Sequence, residues 1–126
     1  MNHAHIASYL RYYRKRSGLS QKELAILVGY PNEGPVSRQE RLYCTPPFHT
    51  ALGYEAIFRV PASELFPASF EEISQAVEVR LKRLESQLQN STVKGRKAVL
   101  IARKLEWIWE RQNPEQSDLS DEAGLA

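Results

Sequence analysis

A short helix with well-marked ends, at residues 20–29, most constrains how this chain folds. Ser20 and Glu23 have the spacing of a capping box, in which each side chain accepts the backbone N–H of the other residue. Leu19 and Leu24 occupy the two apolar staple positions around that cap. Gly29 offers the left-handed conformation in which many helices end. The sequence therefore predicts a short helix here and leaves room for others of similar length on either side.

The rest of the first 66 residues is predicted to form further short helices, separated by glycine and proline. The apolar stripe that begins at Ile6 predicts a first helix that ends near Gly18. Asn32 suits the N-cap of a third helix, in which Pro35 would be the third residue and would lose no hydrogen bond. A fourth helix is predicted from Phe48 to about residue 59, followed by one helical turn at residues 63–66.

Two longer helices are predicted after residue 67. Ser69 and Glu72 form a second capping-box pattern, which opens a helix that runs to about Gln89. The polar residues 90–92 offer the cap of a last helix, which ends near Gln112. Its main apolar stripe comprises Ala98, Ile101, Leu105 and Ile108, and an offset second stripe comprises Val93, Leu100 and Trp107.

The fold class predicted from these patterns is all-α, because no segment alternates apolar and polar residues as a half-buried strand does. We expect three parts: a domain of residues 1–67, a helical hairpin of residues 68–113, and a disordered tail of residues 114–126. All 17 Lys and Arg precede the tail, whereas the tail contains four Asp and Glu. A mildly basic body of this kind permits nucleic-acid binding.

Composition excludes several other classes of protein. Hydrophobic residues make up 42% of the chain and charged residues 25%, which is ordinary for a globular protein. No apolar run reaches the roughly 18 residues that span a bilayer, and no secretory signal pattern is present, so we expect a cytoplasmic protein without a membrane partner. Cys44 is the single cysteine. Without a phosphate loop, a metal-ligand cluster or a nucleophile motif, we expect no enzyme, no cofactor and no metal site.

The residues around the capped helix resemble a known DNA-binding motif. Residues 14–29 read RKRSGLSQKELAILVG, and residues 36–41 read VSRQER. This order is similar to R-x-x-x-G-L-S-Q-x-x-L-A-x-x-x-G followed by I-S-x-x-E in the lambda-repressor-like, or Xre, family of helix-turn-helix proteins. The resemblance covers about residues 6–66. It implies a five-helix domain that inserts its third helix into the major groove of DNA.

The resemblance also implies roles for individual residues. Gln21, at the start of the second helix, is expected to hydrogen-bond a DNA phosphate. Arg38 is the best candidate for reading a base, because a guanidinium can bind guanine O6 and N7 together. The further candidates are Asn32, Glu33 and Ser37 for base contacts, and Arg16, Lys22 and Arg41 for phosphate contacts.

Arg14 and Glu40 match a pair that in this family forms an internal salt bridge between the first and third helices; alternatively, each is a separate solvated charge. The sequence departs from the family pattern at three places. The turn at Tyr30-Pro31 is one residue longer, Gly34-Pro35 offers no base-reading side chain where contacts are common, and Leu42 stands where the family has glycine.

The last helix carries candidate dimerisation residues. Trp107 and Trp109 lie about 200° apart around a helix, so they cannot both face one core. Either one tryptophan is in the core and the other is partly exposed, or the helix buries one face against its neighbour and another against a second subunit. The second interpretation predicts a homodimer that uses Leu100, Trp107 and Trp109.

Three functional hypotheses follow from these patterns. The leading hypothesis is a sequence-specific regulator of transcription, a dimeric repressor that binds double-stranded DNA through residues 1–67. An alternative is an antitoxin-like regulator that also binds a partner protein through its C-terminal helices or its acidic tail. The third is an interaction module that has lost DNA binding, which the lack of reading side chains at Gly34-Pro35 would favour.

Overall fold

A computed structural model of the chain describes residues 7–42 and 44–115, and every regular element within these ranges is an α-helix. The helices are α1 (Leu10–Arg16), α2 (Gln21–Val28), α3 (Gly34–Glu40), α4 (Phe48–Phe58), α5 (Ala62–Leu65), α6 (Pro67–Gln89) and α7 (Arg96–Gln112). The all-α prediction is confirmed. The predictions for Ile6 and for the tail beyond Glu115 fall outside the described residues. Pro114 and Glu115, which were predicted to be disordered, are helical.

The chain divides into two compact units within α6, the first ending at Ser74 and the second beginning at Gln75. In the first unit, α1 to α5 surround one core, and each of these helices contributes at least one buried residue. The buried residues are Leu10, Leu24, Ala25, Val36, Tyr54, Leu65 and Phe66. Because helices of this length are not stable alone in water, this shared core is what holds them. The domain boundary after residue 67 stays a prediction.

Helix α2 has the ends that the sequence predicts. The Ser20 hydroxyl accepts the Glu23 N–H at 3.0 Å, and the Glu23 carboxylate accepts the Ser20 N–H at 2.9 Å. The hydrogen bond with the Ser20 backbone, and to a lesser extent the one with its side chain, hold the pKa of Glu23 below its ordinary value. Gly29 ends the helix with a φ of 94°.

The first helix begins later than its apolar stripe predicts. Residues 7–9 are not helical, and α1 starts at Leu10. The N–H of Tyr9 donates to the carbonyl of Leu65 at 2.8 Å. This tertiary hydrogen bond ties the segment before α1 to α5, and Tyr9 is the N-cap of α1, with its carbonyl accepting the Tyr13 N–H at 3.0 Å.

Helix α3 also begins one residue later than predicted. It starts at Gly34, with Glu33 before it, so Pro35 is its second residue rather than its third. Asn32 still forms a hydrogen bond typical of a cap, because its Oδ1 accepts the Gly34 N–H at 2.9 Å.

The second capping-box pattern does not start α6. This helix begins at Pro67, so Ser69 and Glu72 lie inside its first turns. Proline is favoured at the first position of a helix, because its fixed φ suits the helix and its missing N–H would have no partner there. The prediction that Ser69 caps this helix was therefore wrong, because the helix begins at Pro67 instead.

The second unit contains the rest of α6 and all of α7. Arg111 Nη1 lies 2.6 Å from Glu78 Oε1, so the end of α7 lies beside the middle of α6. Because α7 begins a few residues after α6 ends, the two helices run antiparallel. Gly95, with a φ of 77°, precedes α7, so Val93 lies outside the helix and its place in the offset stripe was wrong. The main stripe is confirmed: the four least exposed positions of α7 are Ala98, Ile101, Leu105 and Ile108.

Candidate nucleic-acid interface

A buried ion pair joins α1 to α3. Arg14 Nε lies 2.5 Å from Glu40 Oε2, and the two side chains are only 10% and 2% exposed. Arg14 also donates from Nη2 to Glu40 Oε1 at 3.2 Å and from Nη1 to the carbonyl of Leu19 at 2.9 Å. The predicted pair of Arg14 and Glu40 is thus present, and the arginine also fixes the turn that precedes α2.

Gln21 belongs to the same cluster. Its Nε2 donates to Glu40 Oε1 at 3.0 Å, so the side chain expected to contact a DNA phosphate has a partner within the protein. Glu40 therefore accepts hydrogen bonds from α1 and from α2 while it sits on α3. Three helices are fixed to one another through one carboxylate.

A second buried polar network fixes the other side of α3, and the sequence analysis missed it. Gln39 is 2% exposed. Its Oε1 accepts the Tyr54 hydroxyl at 2.5 Å, and its Nε2 donates to the Tyr30 hydroxyl, which lies 3.0 Å from Thr50 Oγ1. Burial is the main cause that raises the pKa of Tyr54 above its ordinary value, and the electrostatic effect of Tyr30 adds to it. The Tyr54 hydroxyl therefore keeps its proton and remains a hydrogen-bond donor. The available signal was that Gln39 falls three residues after Val36, on the core side of a helix.

The outer surface of α3 carries the predicted base-reading residues. Asn32, Glu33 and Arg38 are exposed, and Ser37 is half-buried. The candidate phosphate contacts Arg16, Lys22 and Arg41 are exposed as well. Within the described part of the chain, Lys22, Arg38 and Arg41 form no ion pair, so their charge is available to an anionic partner.

Gly34 shapes this surface although it has no side chain. A Cβ placed on Gly34 would lie 2.9 Å from Asn32 Oδ1 and 3.4 Å from Arg38 Nη1. The Asn32 amide and the Arg38 guanidinium therefore both approach the glycine. The structure brings these two candidate residues together over the first turn of α3.

Leu42 takes the left-handed conformation where the resemblance expects glycine. Its φ is 54°, a value that costs about 1–2 kcal/mol for a residue with a Cβ. The side chain is partly buried and packs against the core of the first unit. The turn that follows α3 thus keeps the backbone shape expected of glycine, and apolar burial offsets the strain.

The candidate dimerisation residues lie on α7. Trp107 is 53% exposed, Trp109 is 51% exposed and Leu100 is also exposed. Leu100 and Trp107 are seven residues apart, so they share one face of α7, offset from the buried stripe. Neither tryptophan is a core residue in the single chain, which excludes the interpretation with one buried tryptophan.

Within residues 7–42 and 44–115, no group of three or more His, Cys, Asp or Glu could hold a metal ion, and no helix could cross a membrane. Every buried side-chain nitrogen and oxygen in these ranges has a hydrogen-bond partner. No protein family, no curated protein and no solved structure was found to match this chain.

Proposed function

We propose that this chain is a sequence-specific DNA-binding regulator of transcription, a dimeric repressor of the Xre type that acts in the cytoplasm. In this proposal α2 and α3 form the helix-turn-helix, and α3 enters the major groove. The residues that would contact bases are Asn32, Glu33, Ser37 and Arg38, and those that would contact phosphates are Arg16, Lys22 and Arg41.

One observation carries the proposal: the two sides of α3 differ in kind. Val36, Gln39 and Glu40 face inward and are fixed by the core and by two polar clusters. Arg38, together with the neighbouring Asn32 and Glu33, is exposed. A helix fixed on one side by buried contacts, with exposed polar groups on the other, is suited to reading base edges, because little conformational entropy is lost on binding.

Charge supports the same surface. Lys22 near the start of α2, Arg38 on α3 and Arg41 immediately after α3 form no ion pair within the described residues. Neutralising phosphates with such cations releases counterions, so affinity should fall steeply with salt. Gln21 is held by Glu40 but retains a second amide hydrogen, which leaves it able to donate to a phosphate as well.

The test is fluorescence anisotropy of the full chain with the duplex upstream of its own coding sequence and with a shuffled duplex, at two salt concentrations. We expect tighter binding to the upstream duplex and a steep loss of affinity with salt. Arg38→Ala should remove most of the preference, with about a tenfold loss on the upstream duplex.

Arg83→Ala is the matched control, because Arg83 is an exposed arginine of α6 outside the proposed surface. It removes the same charge and should leave the preference for the upstream duplex intact. If neither that duplex nor any sequence selected from a random library binds better than shuffled DNA, the proposal is wrong.

A further inference from the structure

The base-reading surface of α3 contains a glycine whose lack of a side chain has a consequence for recognition. A Cβ on Gly34 would lie 2.9 Å from Asn32 Oδ1, closer than real Cβ contacts, and 3.4 Å from Arg38 Nη1. Both neighbours are the ends of flexible side chains rather than backbone. An alanine at position 34 would therefore have to displace the Asn32 amide, and its methyl group would fill the space beside the Arg38 guanidinium at contact distance.

The hydrogen bonds decide which groups point outward. Asn32 Oδ1 accepts the Gly34 N–H at 2.9 Å, so its Nδ2 is the end directed away from this bond. Nδ2 and the Arg38 guanidinium are both hydrogen-bond donors without acceptor capacity. The surface over Gly34 thus presents donors, and its natural counterpart is a base edge that carries only acceptors.

We propose that Gly34 is a specificity-determining residue. Its missing side chain lets Asn32 and Arg38 lie side by side, so that together they form a donor unit for the O6 and N7 acceptors of a guanine in the major groove. This inference rests on the proposed DNA-binding function and deepens it. Guanine is the base whose major-groove edge offers two neighbouring acceptors, whereas adenine pairs an acceptor with a donor. Gly34-Pro35 has no side chain that can read a base. In this proposal Gly34 acts instead by determining where the Asn32 and Arg38 side chains lie.

The decisive variant is Gly34→Ala. Gly34 has no left-handed φ, and the higher helix propensity of alanine offsets the loss of the hydrogen bond to Asn32 Oδ1, so the variant should melt within a few degrees of the wild type. Its binding to the duplex that the wild type selects from a random library should nevertheless fall about tenfold. A loss of recognition without a loss of stability is an effect that a merely structural glycine would not produce.

To test the donor unit, the guanines of the selected duplex are replaced one at a time with 7-deazaguanine, which lacks the N7 acceptor. At one position the wild type should lose about tenfold in affinity, whereas Gly34→Ala and Arg38→Ala should lose nothing further there. The double variant Gly34→Ala/Arg38→Ala should bind as Arg38→Ala does, because coupled residues give non-additive effects.

Gly53→Ala is the matched control. A Cβ on Gly53 would lie 2.8 Å from Val28 Cγ2, in the packing between α2 and α4. This variant should melt at a lower temperature and retain the response to 7-deazaguanine.

The possible failures can be told apart. A wild type that selects no sequence overturns the proposed function and this inference with it. A wild type that selects a sequence overturns this inference alone if Gly34→Ala binds it equally well, or if no 7-deazaguanine substitution matters.

Discussion

The two compact units of the chain differ in how many of their apolar residues are buried. The first, up to Ser74, has seven fully buried or nearly buried apolar residues and two buried polar clusters, around Glu40 and around Gln39. In the second, the buried apolar residues are Leu81 and Ile108, within the described range. There Trp107 and Trp109 remain about half exposed.

The difference shows what each unit lacks. Five short helices enclose a core, whereas two antiparallel helices offer one seam and leave their outer faces in water. Exposed aromatic residues on such a face are typical of a surface that another protein covers. The first unit therefore encloses a core of its own, whereas the second leaves apolar surface exposed, which is the surface that the proposed homodimer would use.

The largest expected effect is on the ion pair of the first unit. Glu40→Ala leaves the buried Arg14 guanidinium without its carboxylate and removes the acceptor of Gln21, so we expect a loss of about 3–5 kcal/mol in the free energy of unfolding. Urea denaturation followed by circular dichroism measures it. Glu33→Ala, at the exposed position immediately before α3, is the control and should change the free energy of unfolding little. A Glu40→Ala free energy of unfolding within about 1 kcal/mol of the wild type would contradict the prediction.

The next effect concerns the second unit and its proposed role in dimerisation. Trp107→Ala should raise the dissociation constant of the homodimer at least tenfold, because a large aromatic residue at the centre of an interface contributes about 2 kcal/mol or more. Sedimentation equilibrium over a range of concentrations measures this constant.

Val79→Ala, an exposed apolar residue of α6, is the control for loss of apolar surface and should have a smaller effect. A wild-type chain that is monomeric at high concentration would refute the homodimer. The exposed face of α7 would then favour a different protein as its partner, as in the antitoxin-like alternative.

The smallest effect is the pH dependence of the α2 cap. The folded-state pKa of Glu23 lies below its ordinary value, so the ionised carboxylate stabilises the folded state above the ordinary pKa of 4.5. That contribution is lost as the pH falls through the lowered pKa. Glu23→Gln should therefore be less stable than the wild type at pH 7, and the two should converge in acid when thermal unfolding is followed from pH 7 to 3. A difference that is constant over this range would show that the carboxylate charge is not involved.

Local signals in the sequence predicted the parts of the fold that depend on neighbouring residues. The cap at Ser20 and Glu23 and the buried stripe of α7 depend on spacings of three or four residues. The pair of Arg14 and Glu40 is separated by 26 residues, and only the resemblance to a known motif indicated it.

Features that depend on tertiary contacts were not predictable in this way. The partners of Gln39 lie on α4 and in the turn before α3, and no spacing rule connects them. The approach of Asn32 and Arg38 over Gly34 depends on side-chain directions at the start of α3. The left-handed φ of Leu42 could not be predicted, because leucine rarely adopts this conformation and does not by itself indicate a turn.

The separation of α3 into a fixed side and an exposed side also determines how this chain could be redesigned. The side chains of Glu33 and Arg38 are exposed and form none of the hydrogen bonds that join α3 to the other helices, whereas those of Gln39 and Glu40 form several. A library randomised at the exposed positions should therefore keep one folded scaffold. Under the proposed DNA-binding function, its members would be regulators that differ in a few surface residues and recognise different DNA sequences.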